Sequence, residues 1–476
     1  MSRPYINVLC DLARRKKYKD AFEIDKAALL LSCDERQGNV YLRLREVEAW
    51  LGNTLSPISR DLIEVAAYIY QADKGVRRGA GDRWTRHFSM LIPVRLPSLW
   101  QSVSPQLVRM LFSLIGDQFD CYFVPREPDM NQTSEAAPAQ TAISAADCVC
   151  LFSGGADSFA GATALLRLGR NPALASHYIS NRQLQQEQSR ALSETFGREI
   201  AHLQFRVAPQ NIAQTTKIPF KTVENTQRSR SFLYLSVAAV VASERHLNEL
   251  FICENGVLAI NLPLTPSRFG SRSTHSAHPQ FLESFEKVIG SLFKESITIR
   301  NPFLFKTKKE VIEVVTEEPL KKELRKTISC WGFPRRTIGL NWTKHCGYCL
   351  PCIHRRIAFI AAGYERWDDK YKVDIFKEYN SASDVDNTDF RDLLRFAINL
   401  SRMSADELIF SHPGLLVETG RLCDTDSKFG PSLLAQMLLR FSSEVLEVAK
   451  RKARRALKEW QIMAEPAETS NLDVRD

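Results

Sequence analysis

Two short stretches hold residue types whose spacing can do chemistry. The first is Ser153-Gly154-Gly155-Ala156-Asp157-Ser158. Ahead of it stand five apolar residues, Cys148 to Phe152, without polar alternation, the pattern of a strand covered on both faces. After it, residues 158–169 read as a helix. Gly154 and Gly155 permit backbone angles and a close approach that a Cβ would block. Ser153, Asp157 and Ser158 bring hydroxyl and carboxylate groups to a helix start, where N–H donors lack intrahelical acceptors. A glycine turn running into a helix N-terminus attracts anions, so a phosphate chain is the natural ligand. Asp157 would be repelled by that phosphate unless it holds Mg2+ or meets a donor that offsets its charge. The plainer reading is an ordinary strand-to-helix turn with a good cap. The lysine-bearing pattern G-x-x-x-x-G-K-[ST] does not occur.

The second stretch is Cys330, Cys346, Cys349 and Cys352, spaced C-x15-C-x2-C-x2-C. Turns of the C-x2-C type aim two thiolates at one centre, and four thiolates complete the closed tetrahedral shell of a structural zinc site. Lys344, His345, Arg355 and Arg356 surround it, and positive charge favours thiolates. Four thiolates also serve an iron–sulfur cluster, and clustered buried or redox cysteines are the plain alternative. A closed shell leaves no position for water, so the centre is assigned to folding. The other seven of the 11 cysteines are scattered and read as core.

These stretches must be positioned by a chain of 476 residues, too long for one ordinary core, so roughly two or three domains are expected. Composition is globular, with no tract poor enough in apolar residues to be mostly disordered. With 64 Lys and Arg against 55 Asp and Glu, the net charge of +9 suits an anionic ligand such as ATP or RNA without selecting either. The amino end, MSRPYINVLCDLARRKK, lacks a long apolar core and a small-residue cleavage site. No stretch approaches the ~18 uncharged apolar residues of a membrane helix. A cytoplasmic protein is expected, whose cysteines serve metal or core and not disulfides.

Residues 1–125 read as a separate α+β module, with strands near 27–32, 40–45 and 88–94 and helices near 59–71 and 105–115. Trp84, Arg86 and His87 read as packing and surface. Residues 126–146, rich in Pro, Ala and Thr, read as a linker. From 147 the pattern alternates: a strand near 173–179, a polar helix 184–196, a strand 202–207, a basic loop, an apolar helix 231–242 and a strand 250–253. That rhythm predicts an α/β domain, an open parallel sheet with helices on both faces and ligands at the carboxyl ends of its strands. Past 365 the chain turns helical, with segments near 390–401, 430–441 and 442–461.

SGGADS resembles the SGGxDS loop of the PP-loop, N-type ATP pyrophosphatases, whose fold is adenine nucleotide alpha hydrolase-like. That likeness implies ATP cleaved between its α and β phosphates. Together with SCWGF and HCGYCLPCIHR, it resembles the 7-cyano-7-deazaguanine synthases, the QueC family, with Arg355 as the arginine following the zinc loop 330–352. The resemblance continues through TQRSRSFLYLSVAA, HPQFLESFEKVI and NPFLFKTKKEVI, so it covers residues 147–365. It leaves 1–146 and the helical extension 366–476 outside. A QueC-like core with such extensions is similar in layout to the anti-phage-defence branch, the QatC type.

What the resemblance implies is a C–N bond-forming ligase that adenylates a 7-deazaguanine-type carboxylate and passes it to a nitrogen nucleophile. The nucleophile is ammonia or an amine on a partner protein of the same defence operon. Ser153, Gly154, Gly155 and Ser158 would cradle pyrophosphate and Asp157 would position Mg2+. Arg228, Arg230 and Lys306 would take charge developing on the phosphates. The sequence departs from the family at residues 258–278, where the acids of the family's Glu-Thr-Asp-x-Ser-Gly-Tyr-Pro-Asp-Cys-Arg run are gone. Glu254 and Asn255 are candidates to replace them, and His275 and His278 are candidate bases or polar loop residues. Two alternatives compete. One is a nucleotide- or nucleic-acid-sensing module without turnover, drawing on the basic run KRKARRALK at 450–458. The other is a PP-loop enzyme acting on tRNA.

Overall fold

The computed structural model describes residues 5–10, 29–34, 38–78, 85–126, 141–209, 224, 228–265, 275–331, 345–377, 387–412, 415–416, 430–454 and 457. The N-terminal part opens with β1 (Ile6–Cys10), β2 (Leu29–Leu31) and a short β3 (Val40–Tyr41), followed by α1 (Leu44–Leu51) and α2 (Pro57–Gly75). β4 (His87–Val94), α3 (Pro97–Ile115) and β5 (Gln118–Pro125) complete it. Its sheet runs β2-β1-β4-β5 with every pairing parallel. β4 is buried along nearly its whole length, as a strand covered on both faces must be. The strand expected over 40–45 stops at Tyr41, because Leu44, Val47 and Leu51 recur at helical spacing and bury one face of α1. The helix expected from 105 begins at Pro97, at a first-turn position where the missing N–H costs nothing, and it accommodates Pro105 within it.

After a short α4 (Thr141–Ser144) comes the central sheet. β6 (Cys148–Leu151), α5 (Ala156–Arg167), β7 (Pro172–His177), α6 (Arg182–Phe196) and β8 (His202–Phe205) form successive parallel crossovers. A two-residue β9 (Ala208–Pro209) pairs antiparallel with β3 and ties the two parts together. Then follow α7 (Arg230–Glu244), β10 (Glu249–Phe251), α8 (Gly256–Ala259), α9 (Pro279–Phe293), β11 (Thr298–Arg300), α10 (Lys308–Ile312) and α11 (Glu318–Lys326). The strand order is β11-β10-β6-β7-β8, all parallel. The chain builds outward from β6 first on one side and then on the other. The crevice between β6 and β10 is therefore the topological switch point, the place such sheets hold ligands. This is the expected open parallel sheet.

α12 (Leu350–Ala361), α13 (Thr388–Ser401), α14 (Ala405–Ser411) and α15 (Gly430–Lys452) close the C-terminal side. The helices expected over 430–441 and 442–461 form one continuous helix as far as Lys452. Among the described residues no helix is long and apolar enough to cross a membrane.

One apolar cluster runs through all three parts, because α2 packs on α7, α3 on α9, and α15 on α12 and α13. Across the first of these contacts lies a buried ion network. Asp73 and Asp117 share Arg86, Arg78 binds Asp117 through two bonds of 2.7 Å, and Asp73 accepts from Ser229 N (3.0 Å) and Oγ (2.7 Å). Asp73 thereby caps α7, whose own N-cap side chain makes no capping bond. A carboxylate there also faces the positive end of the helix dipole. Arg86, read from sequence as packing, is the centre of this network, while Trp84 lies outside the described residues.

Removing Asp73 leaves the buried Arg86 with Asp117 as its one remaining carboxylate and takes the acceptor from Ser229. Asp73→Ala should therefore cost about 3–5 kcal/mol in urea unfolding. A loss below ~1 kcal/mol, the range of an exposed pair, would contradict the buried network.

Candidate nucleotide site and four-cysteine centre

The chain reverses between the end of β6 at Leu151 and the start of α5 at Ala156. Gly154 makes this possible with φ of +82°, a left-handed angle that costs a side-chain-bearing residue steric energy. The Ser153 carbonyl accepts from Asn181 Nδ2 (3.0 Å) and Gln185 Nε2 (3.2 Å). The Gly154 carbonyl accepts from Ile328 N and Gln188 Nε2, each at 3.4 Å. Both carbonyls are thus fixed by α6 and the segment after α11. Ser153 N donates to Ser158 Oγ (3.2 Å), Gly155 N to Ser153 Oγ (3.3 Å), and the two hydroxyls lie 3.1 Å apart. Donors of the turn, both hydroxyls and the first amides of α5 are gathered at one helix start, the chemistry of a phosphate site.

Asp157 lies behind this turn and is buried. Its Oδ1 and Oδ2 take Lys308 Nζ at 2.8 and 2.9 Å, and Oδ2 also takes Asn255 Nδ2 at 2.9 Å. Burial alone would raise its carboxyl. The Lys308 charge outweighs that, with hydrogen bonds from Glu254, Lys308 and Asn255, and holds it at about 2. Glu254 goes the other way: burial first, then the Asp157 charge and a hydrogen bond with Asp157, push it well above the usual carboxylate range. Asn301 fixes the Glu254 backbone through bonds of 3.3 and 3.0 Å, and Gly256 N donates to Lys306 O (2.9 Å). The ends of β10 and β11 are so stitched together beside the turn. His354, buried on α12 with neither ring nitrogen hydrogen-bonded, is pushed down to about 3 by burial and then by Lys308.

Of the expected site residues, Ser153, Gly154, Gly155, Asp157 and Ser158 converge. Arg228 is buried, and its Nη1 donates to Ile115 O of the N-terminal part at 3.0 Å. Arg230 is exposed and lies over the Tyr234 ring at 5.4 Å. Lys306 is exposed and offers its carbonyl to Gly256; the cation on Asp157 is Lys308, two residues on. Sequence reading asked for a donor to offset Asp157 and missed which lysine. The signal was there, since Thr307 and Glu310 spell a capping box that puts Lys308 in the first turn of α10. His275 and His278 stack ring on ring, 4.7 Å apart. In the basic run, Arg451 and Lys452 pair with Glu365 at 3.6 and 2.7 Å, while Arg455 and Lys458 lie outside the described residues.

The four cysteines meet. Their sulfurs all lie within 4.8 Å of one another, with Cys346 to Cys352 at 3.9 Å and Cys330 to Cys349 at 4.0 Å. Four Zn–S bonds of ~2.3 Å in a tetrahedron put sulfurs roughly 3.8 Å apart, so the donor set fits zinc. Hydrogen bonds from Cys330, then Cys349 and Cys352, draw the Cys346 thiol far below its usual range, while the same crowding drives Cys352 up. Such a cluster sheds its remaining protons only against its own charge, and a dication completes it. The C-x2-C turn needs Gly347, whose φ is +92° and whose Cβ would lie 2.1 Å from Val373 O. Arg355, fully buried, clamps this centre to the site: it binds Asp368 (2.8 Å), Thr327 Oγ1 (2.6 Å) and Leu324 O (3.1 Å). The adjoining Ile328 is the residue that bonds Gly154.

Metal analysis of the purified chain should find a single zinc, absent in Cys346→Ser, with a stability loss of several kcal/mol; a zinc-free, equally stable protein would contradict the centre. Lys308→Met tests the ion pair. Because Asp157 sits at about 2 against an ordinary 3.8, its stabilisation is present above pH ~4 and lost as pH falls toward 2. The deficit of Lys308→Met should be on the order of 2 kcal/mol at neutral pH and shrink below pH ~3. A deficit independent of pH would refute it.

Comparison with known proteins gives a consistent picture. The sequence model of the family described as "Queuosine biosynthesis protein QueC" matches residues 147–363, a little under half of the chain. A 7-cyano-7-deazaguanine synthase of Methanothrix thermoacetophila is 26% identical over 235 residues, which cover 45% of this chain and 94% of that protein. Sheet order, phosphate-type turn, cysteine centre and sequence agree that residues 147–363 form a QueC-like PP-loop domain.

Proposed function

We propose that the central domain uses ATP to adenylate a 7-deazaguanine-type carboxylate and transfers the acyl group to a nitrogen nucleophile. The observation that carries this is the anion-attracting turn at the switch-point crevice, backed by the Asp157–Lys308–Asn255 cluster. Support also comes from the similarity to a 7-cyano-7-deazaguanine synthase.

In this reading Ser153, Gly154, Gly155 and Ser158 hold the β and γ phosphates with amide and hydroxyl donors. Asp157 and Glu254 are the carboxyl groups that would hold a Mg2+, which would supply neutralisation of phosphate charge, and Lys308 fixes Asp157 in place. The substrate carboxylate oxygen attacks the α phosphorus, the bond to the bridging oxygen breaks, and pyrophosphate leaves. A nitrogen lone pair then attacks the acyl carbon, AMP departs with the carboxylate oxygen, and the nitrogen loses a proton. The turn's role is to place reactants in line and stabilise charge as it develops. Arg228, engaged with Ile115 O, and Arg230, over the Tyr234 ring, stand at the start of α7 and are retained as candidate phosphate cations. Lys306 is retained only as a further rim cation.

The acceptor is ammonia or an amine on a partner protein, and we place the chain beside the QatC-type components of anti-phage systems. The reading rests on layout: two extensions packed tightly on a QueC-like core. The nucleic-acid alternative draws on the end of α15, where Arg451 and Lys452 pair with Glu365 while Lys450 and Arg454 are exposed.

Incubation with ATP, Mg2+ and a 7-deazaguanine carboxylate should release AMP and pyrophosphate only when the carboxylate is present. Asp157→Ala should lower the rate by on the order of 100-fold or more. Conversion of ATP to ADP alone would overturn the proposal.

A further inference from the structure

α15 turns a mostly apolar face inward, with Leu434, Met437, Leu438, Phe441 and Val445 buried. One acid interrupts it. Glu444 is only 9% exposed, and its Oε1 accepts from Thr307 Oγ1 at 2.7 Å. Thr307 is the N-cap of α10: its Oγ1 accepts from Glu310 N (3.3 Å), and its N–H donates to Glu310 Oε2 (2.7 Å). One turn earlier on α15, Arg440 binds Glu310 Oε1 and Phe305 O, each at 2.8 Å. The next residue after the cap is Lys308, whose Nζ holds both oxygens of Asp157. An unbroken chain of bonds thus runs from the C-terminal helix to the phosphate turn.

We infer that Glu444 is a positioning residue that acts through Thr307 and Lys308 to hold Asp157, making α15 a working part of the nucleotide site. The inference rests on the proposed ATP reading for what Asp157 serves, but not for the contacts themselves. A buried carboxyl costs desolvation energy that an apolar residue would avoid. Burial raises Glu444 to about 7, with Thr307 and Lys309 lowering it and Glu310 and Glu313 adding to the rise. What the acid supplies is the acceptor that fixes the Thr307 hydroxyl, and with it the start of a five-residue helix. A displacement of ~1 Å there is enough to misplace a lysine on which the reaction depends.

The test uses the full zinc-loaded chain and two readouts. Hydrogen exchange at the amides of residues 153–160 is followed without nucleotide, and KM for ATP and kcat are measured for AMP formation. Glu444→Ala should speed loop exchange and raise KM by about tenfold each, with kcat changed less. Glu444→Gln, whose amide oxygen still accepts, should stay within about twofold of the parent. Should Glu444→Ala fail to fold, Thr307→Val against Thr307→Ser repeats the comparison, with Ser retaining function. Unchanged exchange and KM in Glu444→Ala, or equal damage from Ala and Gln, overturns the inference. If the parent protein forms no AMP, the function proposed above falls, and loop exchange alone decides this one.

Discussion

A carboxylate stands in a turn shaped to attract anions, and the rest of the structure answers that conflict. Asp157 is tolerated because Lys308 reaches it from another helix with two charge-assisted bonds, with Asn255 and Glu254 completing its shell. The pair is buried, so its geometry must be good for it to be stable at all. Everything that fixes Lys308, Asn255 and Glu254 therefore also fixes the phosphate turn. The capping box sets Lys308, Asn301 sets Glu254, and Gly256 binds back to the segment that leads into α10.

Around that pair the three parts of the chain meet. The cysteine centre reaches the turn through Arg355, Thr327 and the adjoining Ile328, so the four-cysteine centre sets one side of that turn. From the N-terminal part, Asp73 caps α7 at Ser229, and Arg228 spends one donor on Ile115. From the C-terminal part, α15 braces the lysine. The extensions are thus physically continuous with the QueC-like domain, sharing its core and its polar supports.

How much of this was legible in the sequence follows from distance along the chain. The turn and the cysteine centre declare themselves within a few residues each, and so did the parallel sheet, through apolar runs alternating with helical spacing. The partners of Asp157 did not, because Lys308 is 151 residues away and Asn255 is 98. No local pattern names the distant acid that a lysine bonds; the Thr307–Glu310 capping box places Lys308 in the first turn of α10, but its pairing with Asp157 shows only in the fold. Strands of three residues, such as β10 and β11, are too short to show a period. Nothing in the sequence separates Asp73 and Glu444 from solvated acids on helices; only tertiary packing buries them.

The central claim is that the 153–158 turn holds the β and γ phosphates of ATP. A crystal structure with Mg2+ and an ATP analogue carrying methylene between the α and β phosphates, which the reaction cannot cleave, tests it directly. The account predicts β and γ oxygens within hydrogen-bond distance of Ser153, Gly155 and Ser158, with the α phosphorus open toward the crevice between β6 and β10. An analogue bound elsewhere, or no binding at millimolar concentration, would contradict it.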